Sequence, residues 1–117
     1  MLVVEDNEVL GEMTCEILSA LGYRAVWLAN AVVALALLVR EAGYFDLVFS
    51  DVVMPGMNGI EFGQEVRLRH PGLPVVLTSG SNAVTAHERQ CEFEMVLKPY
   101  TSEILVRAFD KAIAAQA

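Results

Sequence analysis

Basic residues are scarce in this chain. Eight Lys and Arg stand against 15 Asp and Glu, for a formal net charge of −7. Phosphate backbones attract clustered Lys and Arg, so the deficit argues against nucleic-acid binding by this domain. Cysteine is scarce too: Cys15 and Cys91 lie in apolar helical surroundings with no partner at metal-ligand spacing. Both read as buried free thiols rather than as a disulfide or a reactive site. Long apolar runs are missing, since a membrane-spanning helix needs about 18 or more such residues in a row. The longest run, Ala31 to Val39, carries neither charge nor proline and reads as a buried helix. No basic leader precedes Leu2-Val3-Val4, so a cytoplasmic setting is the expectation.

What the sequence does have is a core. Hydrophobic residues make up 55% of 117 positions, enough for one compact domain that needs neither disulfides nor a structural metal. The acids are unevenly spread: before Glu65 the only basic residues are Arg24 and Arg40. Such a front half can hold a cation, although a solvated acidic surface accounts for the same asymmetry.

Short β-branched runs alternate with helical periods. Leu2-Val3-Val4 stops at Glu5-Asp6, and from Glu8 to Leu21 the residues Leu10, Met13, Ile17 and Leu21 recur at helical spacing, with Gly22 as the stop. Tyr23 to Leu28 reads as a strand and Ala31 to Glu41 as a helix. Leu47-Val48-Phe49 ends in Ser50-Asp51, followed by a turn at Met54-Pro55-Gly56 and a helix from Gly59 to Arg69. Val75-Val76-Leu77 ends in Thr78-Ser79-Gly80, a weakly periodic helix covers Ala83 to Gln90, and Met95-Val96-Leu97 ends at Lys98-Pro99. Thr101 or Ser102 then caps a helix reaching about Ala114. Five strands without apolar–polar alternation, separated by five helices, predict an α/β fold: a doubly wound parallel sheet covered on both faces.

Ligands of such a sheet sit beyond the carboxyl ends of the strands. The residues standing there are Glu5 and Asp6, Asp51, Ser79, and Lys98. Each has a plain explanation on its own. Glu5 and Asp6 suit a helix N-terminus, Asp51 and Ser79 suit turns, and a strand-end Lys98 reaches water. Together they put three carboxylates, a hydroxyl and an ammonium in one small space. Packed carboxylates raise one another's pKa, and a hard divalent cation such as Mg²⁺ removes that conflict. The combination points to phosphoryl chemistry.

The segments Val3-Val4-Glu5-Asp6-Asn7, Ser50 to Gly59, Pro74 to Gly80 and Leu97-Lys98-Pro99-Tyr100, in that order, resemble the receiver domains of two-component signalling over nearly the whole chain. The resemblance implies a flavodoxin-like sheet of five parallel strands, with 1–117 as a single receiver cut from a longer polypeptide. It implies Asp51 as phosphoacceptor, taking its phosphoryl group from the phosphohistidine of a histidine kinase or phosphotransfer protein. It implies Mg²⁺ held by Glu5, Asp6, Asp51 and the backbone carbonyl of Val53. Lys98 would neutralise phosphoryl charge, and Ser79, five residues after Pro74, would be the switch hydroxyl. A phosphorylation-linked dimer and a switch element at the Ser79 loop and the helix near Ala83 belong to the same implication. The Thr78-Ser79-Gly80 and Leu97 to Tyr100 segments look similar to receivers at the C-terminus of hybrid histidine kinases.

Met95 stands where the family often carries Tyr or Phe, a departure at the usual aromatic switch position. His70 and His87 read as exposed surface residues, not as phosphohistidines. Two rival functions keep the fold: a small metal-dependent phosphatase with Asp51 as nucleophile, and a phosphorylation-independent interaction module. Val53 occupies the natural place for the phosphatase's second acid, which weighs against the first rival. On the receiver reading the domain accepts a phosphoryl group and is not itself a turnover enzyme.

Overall fold

The computed structural model describes residues 1–80 and 93–116. Five strands, β1 (Leu2–Val4), β2 (Val26–Leu28), β3 (Val48–Asp51), β4 (Val75–Ser79) and β5 (Glu94–Leu97), form one sheet in the order β2-β1-β3-β4-β5. Every pairing is parallel. Four helices are described: α1 (Glu8–Ala20), α2 (Ala31–Glu41), α3 (Gly59–Arg69) and α4 (Ser102–Ala115). The helix expected over Ala83 to Gln90 lies outside the described residues.

Side chains of successive strand residues go to opposite faces, and both faces are covered. Leu2 and Val4 join Val48, Val75 and Leu77 under α2 and α3, with Leu38, Phe62 and Val66 closing that layer. Val3, Phe49 and Val76 join Leu18, Leu105 and Phe109 under α1 and α4. Phe62, Leu38, Leu77 and Phe109 are fully buried, and each such side chain contributes about 2 kcal/mol of transfer free energy. Double coverage is why these strands read as unbroken apolar runs.

The helices start where side chains accept the first free amides. Asn7 Oδ1 accepts the Leu10 N–H at 3.1 Å, Asn30 Oδ1 those of Val32 and Val33 at 2.7 and 3.2 Å, and Thr101 Oγ1 that of Ile104 at 3.2 Å. Asn58 and Glu61 form a reciprocal capping box on α3. Of the two caps expected for the last helix, Thr101 is the one used.

Three expectations are corrected. The strand predicted over Tyr23 to Leu28 begins only at Val26. Before that the chain completes the turn out of α1, with the Tyr23 N–H donating to the Leu18 carbonyl at 2.9 Å. The apolar run Ala31 to Val39 is buried on one side only: Ala31, Ala34, Leu35 and Leu38 face the core, while Val32, Val33 and Val39 are exposed. In α1 the buried positions are Gly11, Thr14 and Leu18, with Leu10 and Met13 exposed. Thr14 Oγ1 lies 3.1 Å from the Tyr100 hydroxyl, and Gly11 meets Trp27. A Cβ on Gly11 would meet the indole, 2.6 Å from Cε2, so the helix packs its smallest residue onto the largest one in β2. Glycine inside a helix costs about 1 kcal/mol relative to alanine, which this close approach offsets.

Candidate functional site

The carboxyl ends of β1, β3, β4 and β5 converge, as parallel strands require. Asp51 is the last residue of β3, paired with Thr78 of β4, and Ser79 closes β4 opposite Leu97. Glu5 and Asp6 follow β1 directly, and because Asn7 caps α1, neither acid is needed for that task. Lys98 follows β5; its N–H donates to the Ser79 carbonyl at 2.8 Å, which fixes where its side chain starts. The Lys98 ammonium then donates to Asp51 Oδ2 at 3.2 Å and lies 3.7 Å from Glu5 Oε2. It does not reach into open water.

One oxygen from each of Glu5, Asp6 and Asp51 lies within 4.8 Å of the others. Glu5 and Asp51 are buried, at 5% and 7% exposure, while Asp6 is exposed. Burial pushes the Glu5 carboxyl up to about 7, the hydrogen bond and charge of Asp51 push the same way, and Lys98 only partly opposes them. One ammonium therefore undercompensates these acids, and Glu5 holds a proton into the neutral range. A hard divalent cation can take that proton's place. Two buried carboxylates and one open to solvent suit Mg²⁺, which binds through few protein oxygens and keeps several waters. The residues present fit the ion the family resemblance implies.

The loop after β3 is placed by backbone contact. The Gly59 N–H donates to the Val52 carbonyl at 2.8 Å, and a Cβ on Gly59 would lie 2.8 Å from Val52 Cα and against the Asp51 carbonyl. Glycine at the head of α3 thus lets the helix close on the backbone that carries Asp51. Val53, beyond it, is 66% exposed.

Ser79 is fully buried, and strand alternation puts its side chain on the sheet face opposite to that of Thr78. Thr78 lines a cavity of about 480 Å³ between α1 and the end of β5, bounded also by Leu10, Met13, Asp51, Lys98 and Tyr100. Among the described residues its hydroxyl has no hydrogen-bond partner. Met95 is half-buried against the layer under α2 and α3. His70 is not exposed as expected: it ends α3 half-buried, its Nε2 without a hydrogen-bond partner among the described residues, and the turn at Pro71-Gly72 folds back so that the Leu73 N–H donates to its carbonyl at 3.0 Å. Cys15 is a free, half-buried thiol whose pKa burial raises. Cys91, His87 and the switch element near Ala83 lie outside the described residues.

Sequence reading missed Trp27. Its indole Nε1–H donates to the Glu5 carbonyl at 2.8 Å. The only signal was a large aromatic near the end of β2 facing a glycine one helix away.

Among the described residues no helix is long and apolar enough to cross a membrane. The model of the response regulator receiver domain matches residues 1–110. Response regulator protein FleR of Pseudomonas aeruginosa is 38% identical over 109 residues, which cover 91% of this chain and 23% of that protein. The two-component response regulator ARR14 of Arabidopsis thaliana is 34% identical over 90% of this chain and 28% of its own length. This chain therefore spans about a quarter of each of those relatives. The solved receiver domain of NtrX from Brucella abortus superposes with a TM-score of 0.79 at 30% identity, covering 97% of both chains. Neither the phosphatase nor the phosphorylation-independent module is favoured by these matches. Receiver domains of response regulators take phosphoryl groups from histidine kinases, and at the sequence and fold level alike this chain belongs to the response regulator receiver domain family.

Proposed function

We propose that Asp51 is the phosphoacceptor of this receiver and that its donor is the phosphohistidine of a partner kinase or phosphotransfer protein in the cytoplasm. A carboxylate oxygen of Asp51 attacks phosphorus in line, the P–N bond breaks, and its electron pair returns to the departing imidazole nitrogen. The product is an acyl phosphate on Asp51. Catalysis of this kind is positioning plus charge neutralisation. The observation that carries the reading is the 3.2 Å contact between the Lys98 ammonium and Asp51 within the Glu5-Asp6-Asp51 cluster.

Glu5, Asp6, Asp51 and the Val53 carbonyl would hold Mg²⁺, whose contribution when bound is to neutralise phosphoryl oxygens. Lys98 supplies the protein's own positive charge on the same group. The Ser79 hydroxyl donates to the phosphorylated side chain once it has formed, and that movement passes the change to neighbouring surface. Phosphorylation-linked dimerisation would be one way of reading it out.

Incubation with acetyl phosphate and Mg²⁺, followed by intact mass measurement, tests the assignment. The wild-type chain gains one phosphoryl group and Asp51→Asn gains none. A gain that persists in Asp51→Asn, or no gain in the wild type, rejects it.

A further inference from the structure

Glu5 stands one residue past the end of β1, yet its backbone is held on both sides by β2. Its N–H donates to the Leu28 carbonyl at 3.1 Å and its carbonyl accepts the Trp27 indole N–H at 2.8 Å. A peptide group is planar, so fixing the Glu5 carbonyl oxygen also fixes the plane that carries the Asp6 nitrogen and Cα. Glu5 and Asp6, two of the three acids of the cluster, hang from opposite ends of that one plane. Trp27 can occupy this place only because Gly11 has no side chain, and it is the single tryptophan of the chain.

We propose that Trp27 is a positioning residue of the acidic site: its indole N–H orients the Glu5-Asp6 peptide, and Gly11 is the gap that admits the indole. The inference rests on the reading of Glu5, Asp6 and Asp51 as the Mg²⁺ site. Trp27 touches neither metal nor phosphoryl group. It works by keeping the carboxylates in a binding arrangement before the cation arrives, as outer-shell partners of metal ligands do.

Two variants remove the same hydrogen bond in different ways. Trp27→Phe keeps an aromatic ring and deletes the donor. Gly11→Ala keeps the donor and puts a methyl group where the indole lies. Leu18→Ala, also on α1 and fully buried, loosens the packing without touching the bond. The readouts are the Asp6 amide nitrogen shift in metal-free protein, which follows the hydrogen bond on the Glu5 carbonyl, and the Mg²⁺ dissociation constant from an amide NMR titration.

Trp27→Phe and Gly11→Ala should each move the Asp6 signal before metal is added and weaken Mg²⁺ binding about tenfold. The double variant should be no weaker than either single one, because only one bond is there to lose. Leu18→Ala should lower the melting temperature and leave Mg²⁺ affinity within about twofold, because it keeps both the indole donor and the Gly11 gap. Wild-type affinity in both indole-bond variants, or an equal loss in Leu18→Ala, overturns the positioning role while leaving the metal site standing. Absence of Mg²⁺ binding in the wild type instead removes the site reading and this inference with it. Should one of the two variants fail to fold, the other decides.

Discussion

In β1, β3 and β4 the strand middles and the carboxyl tips are both buried but built to opposite rules. In the middles, Val3, Val48, Phe49, Val76 and Leu77 fill both faces of the sheet with nothing polar beyond the backbone ladder. At the tips, Glu5, Asp51, Thr78 and Ser79 are buried, and Lys98 is drawn in among them. Apolar burial stabilises the first region, whereas desolvated charge destabilises the second unless it is paired. An unpartnered buried hydroxyl such as that of Thr78 adds about 1–3 kcal/mol of further penalty. The domain thus gathers its buried carboxylates, Glu5 and Asp51, on one edge, the edge proposed to carry the chemistry.

The sharpest way to break this contrast is to cut into the middle. Leu77 is fully buried two residues before Ser79 in β4. Leu77→Ala should cost about 3 kcal/mol of unfolding free energy through lost transfer energy and the cavity left behind. Urea denaturation measures it. A loss comparable to that of an exposed position such as Leu68→Ala would mean that the strand middle is not the core.

A cut at the tip should remove chemistry at a smaller cost in stability. Lys98→Met keeps an apolar stem of similar length and deletes the charge beside Asp51. Phosphoryl uptake from acetyl phosphate should slow about 100-fold, the effect of removing one preorganised charge donor, while the urea midpoint falls by less than in Leu77→Ala because Glu5 can keep its proton when the ammonium is lost. A variant that phosphorylates at the wild-type rate would show that the Lys98 contact to Asp51 is structural only.

How legible each region was follows from the range of the forces that shape it. The strand middles and the positions of Asp51, Ser79 and Lys98 could be read because apolar runs, their polar endings and the turn at Pro55-Gly56 are local signals. The parallel sheet then brings those endings together with no further information. Less legible were features made by contacts between distant segments. Burial of α1 on Gly11 depends on Trp27 from β2 and Thr14 meets the Tyr100 hydroxyl, and a periodicity count scores neither a glycine nor a threonine as core. The exposed side of α2, with Val32, Val33 and Val39, looks identical in sequence to its buried side because every residue from Ala31 to Val39 is apolar. The short β2 reflects the length of the turn leaving α1, where Met1 and Arg24 pair by backbone: the terminal amino group donates to the Arg24 carbonyl at 2.7 Å. The tie from Trp27 to the Glu5 carbonyl spans 22 positions and has no local signature at all.

The smallest expected effect is also the most specific to the tip. Burial raises the Glu5 carboxyl from 4.5 to about 7, so between those values the folded chain binds a proton there more tightly than the unfolded chain does. Stability therefore falls as pH rises through that window: the contribution is fully present below 4.5 and gone above about 7. Metal-free protein should melt at a lower temperature at pH 8 than at pH 5.5 by an amount that Glu5→Gln removes, since glutamine keeps the shape without the titration. Taking the difference between wild type and Glu5→Gln at each pH cancels the titrating groups that do not interact with Glu5. Saturating Mg²⁺ should flatten the same difference, because a cation that displaces the Glu5 proton stabilises the ionised form in the fold. If the two proteins instead trace parallel melting profiles across this range, the strain at the strand tips does not reside in Glu5, and the contrast between the two regions loses its clearest electrostatic support.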